Sequence, residues 1–407
     1  MKSLSKLWPN LWDGPPGPGP EGTPRPWPPA PGPWPRRAQR APTVGFYSPL
    51  PPARTGVADY AAALLTGLRH YGRVEVSPRR SDVPLYHLGN NSLHAPIYRR
   101  ALEHPGVVVL HDAVLNHFLL GQLDERSYVD EFVYNYGEWN RGLAHDLWRG
   151  RAASGADGRY FAHPMLRRVA ESARAVVVHN PAAARAVAQH APAARVVDIP
   201  HLFAMPQLPG DAEVLRYRQR LGVEPAAFLF GVFGYLRESK RLAAVLEAFR
   251  KVHRELPRAG LLVAGPFVST DLERAVAPLL SGPGVVRLPY LADREFWLAA
   301  AAVDACINLR YPSTGETSGI SIRLMGIGKP VMMTDALECS RFPEDACLRI
   351  QPGAAERDSL RQHMILVTSM TEVARAVGQR GAGHIRAYHR VEEVSKQYWE
   401  LLCGLCT

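Results

Sequence analysis

Residues 44–60 read VGFYSPLPPARTGVADY, and the fold can be read outward from them. Positions 44–47 are a short apolar run, positions 48–56 are rich in Pro and Gly, and a helix is predicted over 57–70. In that helix Val57, Tyr60, Ala61, Leu64, Leu65 and Leu68 fall at helical spacing and share one buried face. The same rhythm continues with apolar runs at 85–88, 107–110, 176–179 and 196–199. Short apolar strands separated by helices imply a parallel sheet covered on both faces. After a polar stretch around 208–220 the pattern restarts. Strands are predicted at 228–233, 261–264, 285–288, 305–309 and 330–334, with helices at 241–255, 272–280 and 318–327. The fold class is therefore α/β with two parallel-sheet units. A long amphipathic helix is predicted over 385–402, where Ile385, Tyr388, Val391, Val394, Tyr398 and Leu401 recur at helical intervals.

Residues 1–42 differ in kind. They hold 13 of the 36 prolines and four of the eight tryptophans, and such a run lacks the backbone donors and the periodicity of helix or sheet. A disordered tail is expected there. Its Gly17, Gly19 and Gly22 form a G-x-G-x-x-G that no strand precedes and that Pro18 and Pro20 interrupt, so the dinucleotide-binding mechanics are missing. The expected organisation is a tail at 1–42, a first α/β domain at 43–207, a second at 208–382, and a closing helix at 383–407 that crosses back to the first domain.

The 407 residues carry 46% hydrophobic and 21% charged side chains, an ordinary globular balance with no apolar stretch long enough to span a bilayer. The first dozen residues lack the apolar core and cleavage site of a secretory signal, so the cytoplasm is the expected compartment. The formal charge of +10 suits an anionic partner: a nucleotide diphosphate, a lipid phosphate, the inner face of a membrane or a nucleic acid. Nucleic acid fits least, because the basic residues are dispersed and lack interleaved aromatics. Five cysteines, an odd number in a chain this long, argue against a disulfide framework. Cys403 and Cys406 form a lone C-x-x-C that reads as a helix end rather than a zinc site. No Asp-x-Asp and no His/Cys cluster with metal spacing occurs, so no metal and no resident cofactor are expected.

In open α/β sheets ligands bind beyond the carboxyl ends of the strands, so the loops that follow strands carry the candidates. In the first, Arg54 and Thr55 flank a helix start and Gly56 allows close approach of an anion, although a rigid Pro-rich turn is an equally simple reading. Asp59 lies in the first turn of that helix. Asn90 and Asn91 follow the second predicted strand, as hydrogen-bonding groups or as turn residues. His111 and Asp112 end the third, where a His can bond a sugar hydroxyl or be held by the carboxylate. In the second unit, 233–241 reads FGYLRESKR, placing Gly234, Arg237, Lys240 and Arg241 at a helix start that Ser239 is expected to cap, where the dipole also favours anions. The densest loop is 308–319, NLRYPSTGETSG. There Glu316 can accept from a neutral polyol, or stabilise its own helix, while Thr317, Ser318 and Gly319 can hold phosphate oxygens.

At these loops the sequence resembles the large family 4 (group 1) of retaining glycosyltransferases, which have the GT-B fold of two Rossmann-like domains facing a central cleft. The resemblance covers residues 44–402. It rests on PLPPxRTGxADY, LGNN, VVLHD, FGxLxxxKR and NLRYPSxGETSG running into Gly328-Lys329-Pro330, and it is nearest to bacterial members that build surface polysaccharides. It implies a nucleotide sugar as donor and a glycan or lipid-linked glycan as acceptor. It places Gly56 by the donor diphosphate, His111 near the transferred sugar, Lys240 on the diphosphate and Glu316 on the donor sugar. Together with Gly234, Arg237, Thr317, Ser318 and Gly319 these form the expected donor site; Arg54, Thr55, Asp59, Asn90, Asn91 and Asp112 form the expected acceptor side. Two positions depart from the family pattern. Tyr235 stands where an Arg is usual, and Arg323 or Leu324, depending on the anchor used for counting, stands where a second Glu usually binds the ribose. The resemblance therefore also admits a catalytically silent GT-B protein that binds carbohydrate or a partner, and a sugar-nucleotide epimerase.

Overall fold

The computed structural model describes residues 42–406; the Pro- and Trp-rich segment and its G-x-G-x-x-G lie outside them, apart from Pro42. Twelve strands form two six-stranded sheets among the described residues. The first contains β1 (Val44–Tyr47), β2 (Val74–Val76), β3 (Val83–Leu88), β4 (Val107–Leu110), β5 (Ala175–Val178) and β6 (Val196–Asp198), in the order β2-β1-β3-β4-β5-β6. The second contains β7 (Phe228–Phe233), β8 (Ala259–Ala264), β9 (Val285–Leu288), β10 (Ala305–Asn308), β11 (Val331–Thr334) and β12 (Leu348–Ile350), in the order β12-β11-β10-β7-β8-β9. Every pairing is parallel. The central strands are apolar throughout because helices cover both faces: all four residues of β4 and all six of β8 are buried.

The helix Gly56–Leu68 starts where the Thr55 side chain accepts from the Val57 N–H, and it buries Tyr60, Ala61, Leu64, Leu65 and Leu68. In the second unit the helix is Leu242–Glu255, and its entry differs from the expectation. Ser239 does not cap it; Arg241 does so in the left-handed region (φ 58°), after a short turn at Glu238–Lys240.

The single helix expected over 385–402 is two helices, Thr371–Tyr388 and Val391–Gly404. They separate because His389 and Arg390 pair with another segment. The Phe203 N–H donates to the His389 carbonyl at 2.6 Å, and Phe203 and Arg390 form a parallel bridge. Ile385 of the first helix belongs to the core of the second sheet. The second helix packs on Gly56–Leu68, with Tyr398 Oη 3.0 Å from Tyr60 Oη. It comes so close that a Cβ at Gly67 would lie on Ser395 Oγ.

Candidate functional site

Both strand orders contain a reversal, between β1 and β3 in the first sheet and between β7 and β10 in the second. A reversal splays the loops beyond the strand ends and leaves a crevice for ligand. The loops concerned are 48–55 and 89–91 on one side and 234–241 and 309–318 on the other, and they face each other across a cleft. Most residues singled out in the sequence lie on them or beside them.

The second-unit wall is built from charge. Gly234 follows β7 with φ 85°, a conformation that favours glycine, and a Cβ there would sit 3.1 Å from Lys240 Nζ. Lys240 is buried and its ammonium bonds the Phe233 carbonyl. Burial, then the neighbouring Arg310 guanidinium, hold Lys240 well below the usual lysine range. Arg310, inside the quoted loop but not singled out from sequence, pairs with Glu316 at 2.8 Å. Arg237 acts on Lys240, Arg310 and Glu316 alike, whereas Arg241 turns away to the buried Glu356 at 2.9 Å. The helix Gly319–Gly326 opens at this cluster, capped by Ser318, and its first-turn N–H groups have no acceptor within the helix. The Ser318 hydroxyl accepts from Asn308 at 2.6 Å, so it shapes the loop while the backbone supplies the donors. A cavity of ≈ 40 Å³ remains beside Glu316, with Asn308, Arg310, Ser313 and Glu338 on its lining.

The first-unit wall is built from neutral rings. His87 lies on β3, and His111, His179 and His201 follow β4, β5 and β6. They gather around Tyr60, whose ring centroid is 4.8 Å from His111, 5.3 Å from His179 and 4.7 Å from His201. Burial lowers the pKa of His87, His111 and His201 well below the usual value and that of His179 to about 4. His87 Nδ1 lies 3.0 Å from His111 Nε2, and His87 Nε2 is buried with no hydrogen-bond partner among the described residues. An orphaned lone pair is tolerated better than an orphaned N–H, so His87 is the Nδ1–H tautomer and donates to His111. His111 then carries its own proton on Nδ1.

Asp112 connects the walls. Its Oδ2 accepts from the Asn90 N–H at 2.8 Å, and the Thr314 hydroxyl lies 2.8 Å from its Oδ1 and 2.5 Å from Glu316 Oε2. The two acids compete for this one hydroxyl, and burial and then the Glu316 charge raise the pKa of Asp112. Burial also pushes Glu316 upward, but Arg310, the Thr314 hydroxyl and Arg237 outweigh it and hold Glu316 below the usual range. Asn91 uses its side chain to accept from the Leu93 N–H at 3.0 Å and acts as a turn cap. A Cβ at Gly56 would meet nothing within 4 Å, so Gly56 faces open space.

No protein-family model and no curated protein matches the chain. Solved structures do. HepE from Anabaena in complex with UDP-glucose superposes with a TM-score of 0.59 at 16% identity, over 89% of this chain and 99% of that one. WaaG, a glycosyltransferase of lipopolysaccharide biosynthesis, gives 0.59 at 15% identity over 88% and 99%. The sucrose-phosphate synthase of Thermosynechococcus elongatus gives 0.59 at 17% over 88% and 98%. The chain has the GT-B fold.

Contacts missed in the sequence reading span this GT-B cleft. Asn180, at the start of the helix Pro181–His190, donates to the Gly315 carbonyl and to Thr317 Oγ1, each at 2.9 Å. The Ala113 N–H donates to the Thr314 carbonyl at 2.7 Å, and Arg341 pairs with Asp198. The two departures from the family pattern also lie here. The Tyr235 hydroxyl donates to the Arg54 carbonyl at 2.7 Å, and the Arg54 guanidinium lies 5.0 Å over the Tyr290 ring. Arg323 pairs with Asp59 at 2.9 Å. Leu324 is fully buried in the core, which leaves Arg323 as the residue at the cleft. Among the described residues no group of His, Cys, Asp and Glu is arranged to hold a metal ion, and no helix is long and apolar enough to cross a membrane.

Proposed function

We propose that this protein is a metal-independent, retaining glycosyltransferase that moves a hexose from a nucleotide-diphosphate sugar to a glycan or lipid-linked glycan. The observation that carries the reading is the placement of Arg237, Lys240, Arg310 and an open helix start around the strand reversal of the second sheet, with one ionised carboxylate, Glu316, beside them. Three basic side chains against one carboxylate fit a diphosphate, and the carboxylate fits the hydroxyls of the sugar attached to it. HepE, of the same fold, binds UDP-glucose.

In this reading the phosphates lie between Gly234, Lys240 and the helix Gly319–Gly326, Glu316 accepts from sugar hydroxyls, and the His111 Nδ1–H donates to a sugar oxygen. The acceptor oxygen attacks the anomeric carbon on the face from which the diphosphate departs. The bond from carbon to phosphate oxygen breaks as the glycosidic bond forms, and a phosphate oxygen takes the acceptor proton. Catalysis is positioning plus stabilisation of the leaving diphosphate, without an enzymic nucleophile. Cytoplasmic location, with contact to the inner face of a membrane for a lipid-linked acceptor, belongs to the same proposal.

The test is turnover of UDP-, GDP- and ADP-sugars with product analysis by NMR. At least one donor is consumed, the anomeric configuration is retained, and chelators have no effect. A second reading, a silent GT-B binder, is favoured by Tyr235 and Arg323, which engage the protein itself. Calorimetry with UDP, GDP and ADP separates the two, since a silent binder of this kind takes up none of them.

A further inference from the structure

A nucleotide seated on this cation cluster must place its nucleoside somewhere, and the cleft has two ends. At one end stand Glu316 and Asp112, suited to the transferred sugar. The other opens past Ile320, whose Cγ1 would lie 3.6 Å from a Cβ at Gly234. One helical turn beyond Ile320, on the same face, stands Arg323. Its guanidinium lies 5.4 Å over Phe296 and 5.7 Å over Trp297, and it donates to Asp59 Oδ2. Asp59 is 48% exposed, and among the described residues no hydrogen bond reaches its Oδ1. An exposed ion pair of this kind contributes little to stability. What it does supply is a carboxylate fixed at one oxygen and open at the other, on the nucleoside end of the cleft. Five residues before Asp59, the Arg54 guanidinium lies over the half-exposed Tyr290 ring of the second domain.

We propose that Asp59 is the carboxylate that accepts the ribose hydroxyls of the donor, and that Arg323 is the positioning residue that holds it there. The inference rests on the donor-site reading above. The family pattern has a carboxylate on the second domain's own helix; here an arginine in that helix recruits one from the first domain. Ribose recognition then requires the closed cleft, because the phosphates sit on one domain and the ribose acceptor on the other. Nucleotide binding and domain closure become one event.

Calorimetry with UDP, GDP and ADP beside their 2′,3′-dideoxy counterparts tests this on the full chain. The preferred ribonucleotide binds at least 10-fold more tightly than its dideoxy form. Asp59→Ala reduces that ratio below about 3-fold while affinity for the dideoxy form is kept, a pattern that general damage to the fold does not produce. Arg323→Ala moves the ratio in the same direction. Equal affinity of the wild type for both forms, or an undiminished ratio in Asp59→Ala, overturns the assignment and leaves the donor-site reading standing. Failure of the wild type to bind any of the three ribonucleotides overturns both.

Discussion

The two walls of the cleft hold polar groups in opposite ways. The second-domain wall keeps charge: Arg237, Lys240 and Arg310 crowd one ionised Glu316, and Lys240 stays buried at the cost of a depressed pKa. The first-domain wall avoids charge: four histidines around Tyr60 are kept neutral by burial. A frustrated cation cluster gains most when an anion arrives, whereas neutral rings favour neutral hydroxyls. In the proposed function the difference separates diphosphate binding from sugar binding. The largest effects are expected on the charged wall. Lys240→Ala and Glu316→Ala should each lower kcat/KM by about 10²-fold, the order seen when one preorganised electrostatic donor is removed, with thermal melting showing a retained fold. If both variants keep activity within about 3-fold of wild type, the cation cluster is not the donor site.

The neutral wall is broken by acid. In the unfolded chain these rings protonate near pH 6.5, whereas His179 stays neutral in the fold down to about 4, and burial holds His87, His111 and His201 well below the usual value. Between those values the unfolded chain holds more protons, so the contribution is complete above pH 6.5 and is lost as pH falls toward 4. At about 1.4 kcal/mol per pKa unit, His179 alone accounts for roughly 3 kcal/mol, a large part of the margin of a domain, about 5–15 kcal/mol. Asp112 runs the other way, since its raised pKa favours the fold as pH falls, but it is one group against several. Melting temperature measured from pH 7.5 to 4.5 should fall steeply below 6.5, and His179→Gln should flatten the slope. A flat profile would mean that the histidines are solvated and the wall is not neutral by burial.

The charged wall was largely legible in the sequence, and the neutral wall was not. Gly234, Lys240 and Glu316 sit in loops whose composition already gathers basic, acidic and hydroxyl groups at helix starts, because strand, loop and helix start are contiguous in the chain. His87, His179 and His201 are scattered over more than 100 positions, and each alone reads as an ordinary core histidine. They meet because β3, β4, β5 and β6 are neighbours in the sheet, which no local pattern states. Arg310 lay within a quoted motif, yet its pairing with Glu316 depends on how the loop folds back on itself. Asn180 had a local signal, an Asn-Pro pair after a strand, which marks a helix cap but not the partner across the cleft. The break at His389 and Arg390 was hidden for the same reason: helical periodicity runs through it, and only the distant Phe203 interrupts it.

Contacts that join the walls should respond less than either wall alone. Thr314→Val removes the hydroxyl shared by Asp112 and Glu316 and leaves the two acids facing each other without it. A hydrogen bond to a charged group is worth about 1.5–3 kcal/mol, so denaturant unfolding should show a loss of that order, and small-angle scattering should show a more open molecule. An unchanged scattering curve would mean that closure does not depend on the Thr314 hydroxyl.

Tyr235→Phe should have the smallest effect. It deletes the bond to the Arg54 carbonyl but keeps the ring, and a neutral hydrogen bond contributes about 0.5–1.5 kcal/mol. That corresponds to a few-fold rise in KM for the nucleotide sugar with kcat nearly unchanged, because the contact fixes the loop at 48–55 rather than the reacting groups. Tyr235 occupies the place of the family's arginine, so the size of this effect reports what the position now does. A loss approaching that of Lys240→Ala would make Tyr235 a direct ligand of the diphosphate; no change at all would leave Arg54 held by its stack on Tyr290 alone.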